Sequence, residues 1–324
     1  MKNKFPLLLS LCLMVITGTS GVHAQQAYPN KPIRFVTPFA PGGATTILAR
    51  MLGQRLTEAW GQQVLVDNRP GGNTVIGTEV VARSPADGYT IILISAAHVI
   101  IPQLIATSFD PIKDFAPVAT VAGGEFVLVL SNTVPANTVQ ELIALAKAKP
   151  GQLNYATSGS GSATHLASEL LNLAAGVQIQ HIPYKGSGQV IPDLVGGQVQ
   201  MAFNQPVAFV PLIKAGKLKA IAVSGQVRMA GLPQVPTFAE SGLAGIDVNF
   251  WQGVLAPAGT PRPIVDKLSA EITKILSSAD IREKMVGQGT DPFISTPEQF
   301  STLLRADFAK YGRIIKAANI KLDD

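Results

Sequence analysis

The segment Phe39-Ala40-Pro41-Gly42-Gly43-Ala44-Thr45-Thr46 sets two glycines and then two hydroxyls between the apolar run Ile33–Phe39 and a stretch with apolar residues at helical spacing (Ile47, Leu48, Met51, Leu52, Leu56). Glycines at a strand-to-helix junction let a ligand approach the backbone. The unpaired N–H groups and the positive end of the helix dipole there attract an anion. Phe39, Ala40, Pro41, Gly42, Gly43, Thr45 and Thr46 are therefore candidate ligand contacts. No lysine follows the glycines as a phosphate-binding loop requires, and the loop lacks the G-x-G-x-x-G dinucleotide fingerprint. A tight turn without a ligand accounts for the same residues.

A second loop, Ala156 to His165, repeats the arrangement with Ser158, Gly159, Gly161, Ser162 and Thr164. Its hydroxyls are donors or helix caps, and its glycines match only part of the nucleotide fingerprint. Ser95, Ala96 and His98 end another apolar run, while Tyr184-Lys185-Gly186-Ser187 and Asn204-Gln205 end two more. Carboxyl ends of strands are where open α/β sheets bind ligands, which adds Ser95, Ala96, His98, Lys185 and Asn204 to the candidates. The catalytic inventory is thin. Past the leader the histidines are His98, His165 and His181, at spacings that form no metal signature, and no G-x-S-x-G or H-E-x-x-H motif occurs. An enzyme alternative remains: a hydrolase using Ser158 or Ser162 with His165. His181, in an apolar strand, reads as structural, and His165 as a capping residue. Trp251 reads as core.

These residues need elements to position them. Strands are expected at Ile33–Phe39, Gln63–Asp67 and Tyr89–Ser95, with helices at Thr45–Trp60 and Asn73–Ala82. Such apolar, non-alternating strands are those buried on both faces of a parallel sheet. A long extended stretch from Phe115 to Leu130 precedes a second alternation: helix 138–148, strand 153–157, helix 162–175, strand 177–182, helix 187–196, strand 198–204, helix 206–215, strand 218–224. The extended run Val248–Pro257 follows, then helices near 262–277 and 297–317. Strand–helix alternation gives α/β lobes, and two extended crossings suggest two lobes joined by two hinge strands. The expected lobes are 25–122 with 248–324, and 123–247. A single α/β domain with a β-rich insertion is the alternative.

The N-terminus decides the compartment. Lys2 and Lys4 precede an apolar run from Phe5 to about Ile16, and small residues lead to Val22-His23-Ala24. This is the layout of an export signal cleaved after Ala24, and the run is too short to span a bilayer. Removing it leaves 300 of 324 residues and, with two lysines gone, lowers the formal charge from +5 to +3. The only cysteine, Cys12, goes with it, which excludes disulfides and thiolate metal sites. A mild charge without a Lys/Arg cluster argues against nucleic acid as a partner. No cofactor and no metal are expected.

Further motifs carry a resemblance. They are Asp67-Asn68-Arg69-Pro70-Gly71-Gly72, Ser84-Pro85-Ala86-Asp87-Gly88-Tyr89-Thr90, Lys113-Asp114-Phe115-Ala116-Pro117-Val118, His181-Ile182-Pro183-Tyr184-Lys185-Gly186, Leu194-Val195-Gly196-Gly197-Gln198-Val199 and Leu255-Ala256-Pro257-Ala258-Gly259-Thr260-Pro261. In this order they resemble the substrate-binding proteins of tripartite tricarboxylate transporters, the Bug family. The resemblance implies a type II periplasmic-binding-protein fold and a periplasmic carrier that delivers a small carboxylate to membrane permease subunits; with the thin catalytic inventory no enzyme activity is expected, and the chain is expected to be a monomer. A carboxylate-sensing receptor for a membrane signalling protein is the non-enzymatic alternative. The resemblance further implies that the ligand is held by backbone amides, hydroxyls and water without a dedicated arginine. Two positions depart from the family pattern: Thr46 and Asn204 stand where relatives usually carry an acid. Less negative charge disfavours a ligand's ammonium, so a mono- or dicarboxylate without an amino group, aromatic or not, is expected.

Overall fold

A computed structural model describes residues 28–246 and 248–318; the export signal expected over residues 1–24 lies outside them. The chain runs β1 (Ile33–Thr37), α1 (Ala44–Trp60), β2 (Val64–Asn68), α2 (Val75–Ala82), β3 (Thr90–Ser95), α3 (Ala97–Ile100), β4 (Phe115–Glu125) and β5 (Val127–Ser131). It continues with α4 (Val139–Ala148), β6 (Asn154–Thr157), α5 (Ala163–Ala175), β7 (Gln180–Pro183), α6 (Ser187–Val195), β8 (Met201–Asn204), α7 (Pro206–Lys214) and β9 (Leu218–Val223). The last elements are β10 (Asn249–Pro257), α8 (Arg262–Ser277), α9 (Ala279–Gly287), β11 (Asp291–Pro292) and α10 (Pro297–Ala318).

The strands form two sheets. One has the order β11-β4-β10-β3-β1-β2 and the other β7-β6-β8-β5-β9. β1 pairs in parallel with β2 and β3, and β6 with β7 and β8, as helical crossovers require. Residues such as Phe35, Ile91 and Ile92 are fully buried, which is why these strands read as apolar without alternation. Two α/β lobes of the periplasmic-binding-protein type result.

β4 and β10 pair antiparallel as far as Glu125 opposite Asn249, so β4 stays in the first sheet beyond the boundary expected at 122. The chain crosses at Phe126 and returns through the segment after Ser224. One hydroxyl ties both crossings: the Phe126 amide donates to Ser224 Oγ at 2.9 Å, and that hydroxyl donates to the Val248 carbonyl at 2.5 Å. Ser224→Ala is expected to leave a buried amide unpaired and lower stability by about 1–3 kcal/mol in urea unfolding.

Local chemistry explains most element ends. α4 carries a capping box, with Thr138 Oγ1 accepting from the Glu141 amide and Glu141 Oε2 from the Asn137 amide. The helix expected from Asn73 starts instead at Val75, because Asn73 (φ 50) and Thr74 (φ 82) are left-handed. α9 leaves no signal in the sequence, because it buries only Ile281 and Met285, too few apolar residues to mark a helical period.

Candidate functional site

Between the lobes lies a cavity lined from the first lobe by Phe39, Gly43, Ala44, Thr45 and Ser95. From the second it is lined by Ser158, Thr164, Ser187, Asn204 and Gln205. Four helices begin at it: α1 after Gly43, α5 after Ser162, α6 after Gly186 and α7 after Gln205. None of the four has an acidic residue in its first turn, whereas α4, α9 and α10 carry Glu141, Asp280 and Glu298 there. The caps of α1, α6 and α7 make no side-chain bond to the helix amides. The positive ends facing the cavity are thus uncompensated, and no ionisable side chain lines it. Such a space favours an anion and holds no carboxylate to pair with an ammonium.

The cavity measures about 30 Å³, far below the few hundred Å³ of a small-molecule pocket, so the lobes are closed on each other. The Ala40 amide donates to the Lys185 carbonyl at 2.9 Å across the cleft. Gly42 (φ 87) needs the left-handed region. Gly43 (φ −85) does not; a Cβ there would lie 2.6 Å from Ser187 Oγ, so it is glycine for close approach. Asn68 braces the first loop, its Nδ2 donating to Thr37 Oγ1 (2.6 Å), the Phe39 carbonyl (2.9 Å) and Thr46 Oγ1 (2.8 Å).

The structure brings Phe39, Gly43, Thr45, Ser95, Ser158, Thr164 and Asn204 together at the cavity. It places the other expected contacts elsewhere. Thr46 turns its hydroxyl to Asn68, while Ala40, Pro41 and Gly42 meet the Lys185–Gly188 segment of the second lobe. Lys185 is exposed and contributes only its carbonyl. The amides of Gly159 and Gly161 are spent on Thr157 Oγ1 and His165 Nδ1. Ser162 caps α5, accepting from the His165 amide, with its hydroxyl against Thr164 Oγ1 at 2.8 Å. Ala96 is buried at the start of α3, outside the lining. Ala44, Ser187 and Gln205 enter instead. Ser187 and Gln205 belong to strand-end loops visible in the sequence, but only the cross-lobe approach selects them over Lys185.

His98 also leaves the site. Its Nε2 lies 2.8 Å from the Pro111 carbonyl, and its ring packs against Phe115 and Phe109 at 4.8 and 6.1 Å. Burial lowers its pKa to about 4, the carbonyl bond opposing this. The unfolded chain regains an ordinary value near 6.5. Between pH 6.5 and 4 it therefore takes up a proton that the folded state refuses. Stability from His98 is intact above pH 6.5 and falls, by about a kcal/mol per pH unit, as pH drops toward 4. Urea unfolding at pH 7 and pH 5 should show a smaller difference for His98→Gln than for the wild type.

His165 stacks on His181 at 4.0 Å between ring centres, next to Tyr155, and its Nδ1 accepts the Gly161 amide. Its Nδ1 is therefore not the nitrogen that could deprotonate Ser158 or Ser162. His181 Nε2 sits 2.7 Å from Thr157 Oγ1. Trp251, 5% exposed, donates from Nε1 to Asp307 at 2.6 Å. Among the described residues no group of His, Cys, Asp and Glu is arranged to hold a metal, and no helix is long and apolar enough to cross a membrane.

Residues 48–320 match the sequence pattern of the tripartite tricarboxylate transporter family receptors. The chain belongs to this family. It is 35% identical over 317 residues to the protein BugT of Bordetella pertussis (strain Tohama I), covering 95% of this chain and 96% of that one. An R. palustris protein solved with adipate superposes with a TM-score of 0.88 at 34% identity, covering 91% of this chain and 99% of the other. MatC from Rhodopseudomonas palustris, with bound malate, gives 0.82 at 30% identity, covering 89% and 100%. The chain is accordingly a solute-binding receptor of the Bug type and not an enzyme.

Proposed function

We propose that this receptor is exported, with its signal removed after Ala24, and works in the periplasm. There it captures a small mono- or dicarboxylate without an amino group and hands it to the membrane permease subunits of a tripartite transporter. The observation that carries the ligand class is the meeting of four acid-free helix N-termini on a cavity without ionisable side chains. At about half an elementary charge each, they balance an anion of one or two charges. An ammonium would face positive helix ends with no carboxylate to pair with, Asn204 standing where relatives usually carry an acid. The hydroxyls of Thr45, Ser95, Ser158, Thr164 and Ser187 supply uncharged partners for the ligand's oxygens. The similar R. palustris proteins solved with adipate and with malate support the reading.

The test is thermal unfolding of the chain from Gln25 onward against mono-, di- and tricarboxylates and amino acids. A ligand at 100 times its Kd adds about 2.7 kcal/mol, enough to move the midpoint by degrees. A folded protein that no carboxylate stabilises overturns the proposal. Aspartate or glutamate binding tighter than every plain carboxylate overturns the exclusion of amino groups.

A further inference from the structure

Three side-chain amides meet at the edge of the cavity. Gln252, on β10, is fully buried and lies directly across the sheet from Ser95, which lines the cavity. Its Nε2 donates to Gln205 Oε1 at 2.5 Å, and its own Oε1 has no partner. Gln205 caps α7 and lines the cavity from the other lobe. Next to it, Asn204 is 2% exposed, also lines the cavity, and holds an Nδ2 that no protein group accepts from.

The polarity of the glutamine pair is physically determined. Turning both glutamine amides round would keep one bond between them but bury an unpaired NH₂ on Gln252 in place of an unpaired carbonyl. Orphaned buried N–H groups are the rarer and costlier of the two. With Gln205 Oε1 held by Gln252, the atom left for Gln205 to offer the cavity is Nε2. Gln205 Nε2 and the unpartnered Asn204 Nδ2 thus belong to adjacent residues that both line the cavity. A monocarboxylate, aliphatic or aromatic, has nothing to give them and leaves them buried and unpaired. A second carboxylate brings up to four acceptor positions.

We infer that the receptor selects dicarboxylates, reading the second carboxylate with Asn204 Nδ2 and Gln205 Nε2, and that Gln252 is the positioning residue that fixes the donor face of Gln205. The inference rests on the carboxylate reading above and narrows it. A site built to donate hydrogen bonds rejects a ligand lacking acceptors by large factors. Two buried donors left unpaired correspond to about 100-fold or more.

The experiment is titration calorimetry of the chain from Gln25 onward with length-matched pairs, adipate against hexanoate and succinate against butyrate. At least one dicarboxylate is expected to bind about 100-fold tighter than its partner. Gln252→Met keeps the volume but frees Gln205 to turn, and is expected to narrow that ratio at least tenfold with an unchanged ligand-free melt. Asn204→Leu, which removes the second donor, should narrow it independently if Gln252→Met proves unstable. Monocarboxylates binding as well as dicarboxylates overturn the inference but leave the carboxylate receptor standing. An unchanged ratio in a folded Gln252→Met overturns the role of Gln252. Failure of every carboxylate to bind overturns both readings.

Discussion

Gly43→Asp is expected to weaken carboxylate binding by about three orders of magnitude while the ligand-free protein still folds. Gly43 caps α1 in extended geometry (φ −85, ψ 173) and lines the cavity. That backbone suits any residue, and aspartate is a favoured N-cap, so the helix itself gains from the change. The ligand loses, because a fixed carboxylate would sit within about 4 Å of the one being captured. Two unit charges at that distance repel by about 4 kcal/mol at the effective dielectric of a partly solvated site, or about 10³ in affinity. The new Cβ also crowds Ser187 Oγ, so Gly43→Asn, equal in size and uncharged, separates charge from bulk. Calorimetry on both variants reads the difference. If Gly43→Asp bound like the wild type, the first glycine loop would not belong to the site.

Gly188→Ala is the second large effect, and acts through closure. Gly188 lies in the first turn of α6, where a Cβ would fall 2.0 Å from the Pro41 carbonyl oxygen and 2.8 Å from the Gly43 amide. These are backbone atoms of the other lobe, so only parting of the lobes relieves the clash. Alanine is a better helix former than glycine, and the second lobe should keep its own stability. Straining the closed state by about 1–3 kcal/mol lowers the population able to hold the ligand and weakens binding by about one to two orders of magnitude. Small-angle scattering should also show less compaction on adding ligand. Wild-type affinity with wild-type compaction would mean that the glycine contact is not part of closure.

The fold was largely legible because it is written in local patterns. Buried parallel strands announce themselves as apolar runs, and α1, α5 and α8 as apolar residues at helical spacing. Both glycine loops stood out because strand-to-helix junctions have their own residue chemistry. The sequence puts His98 and Ser95 on equal terms. Both end the same apolar strand, but α3 starts between them and turns the imidazole toward Phe109 and Phe115. Lys185 ends an apolar run in the sequence, yet it meets the other lobe through its carbonyl, which accepts from the Ala40 amide. Thr46 belongs to the first glycine loop, but its hydroxyl is held by Asn68.

By itself, then, the sequence determined the α/β class, the order of elements, two anion-friendly helix starts and the poverty of catalytic groups, since each depends on residues adjacent along the chain. Only the tertiary structure decided which helix starts share a cavity. Only there does Gly188 fit against Pro41, Gln252 reach Gln205, and the Asn204 amide stay unpaired. These are relations between residues distant in sequence, brought together by the closing of two lobes. Their energies come from close packing and from unpaired buried polar groups, neither of which leaves a periodic mark on a single chain.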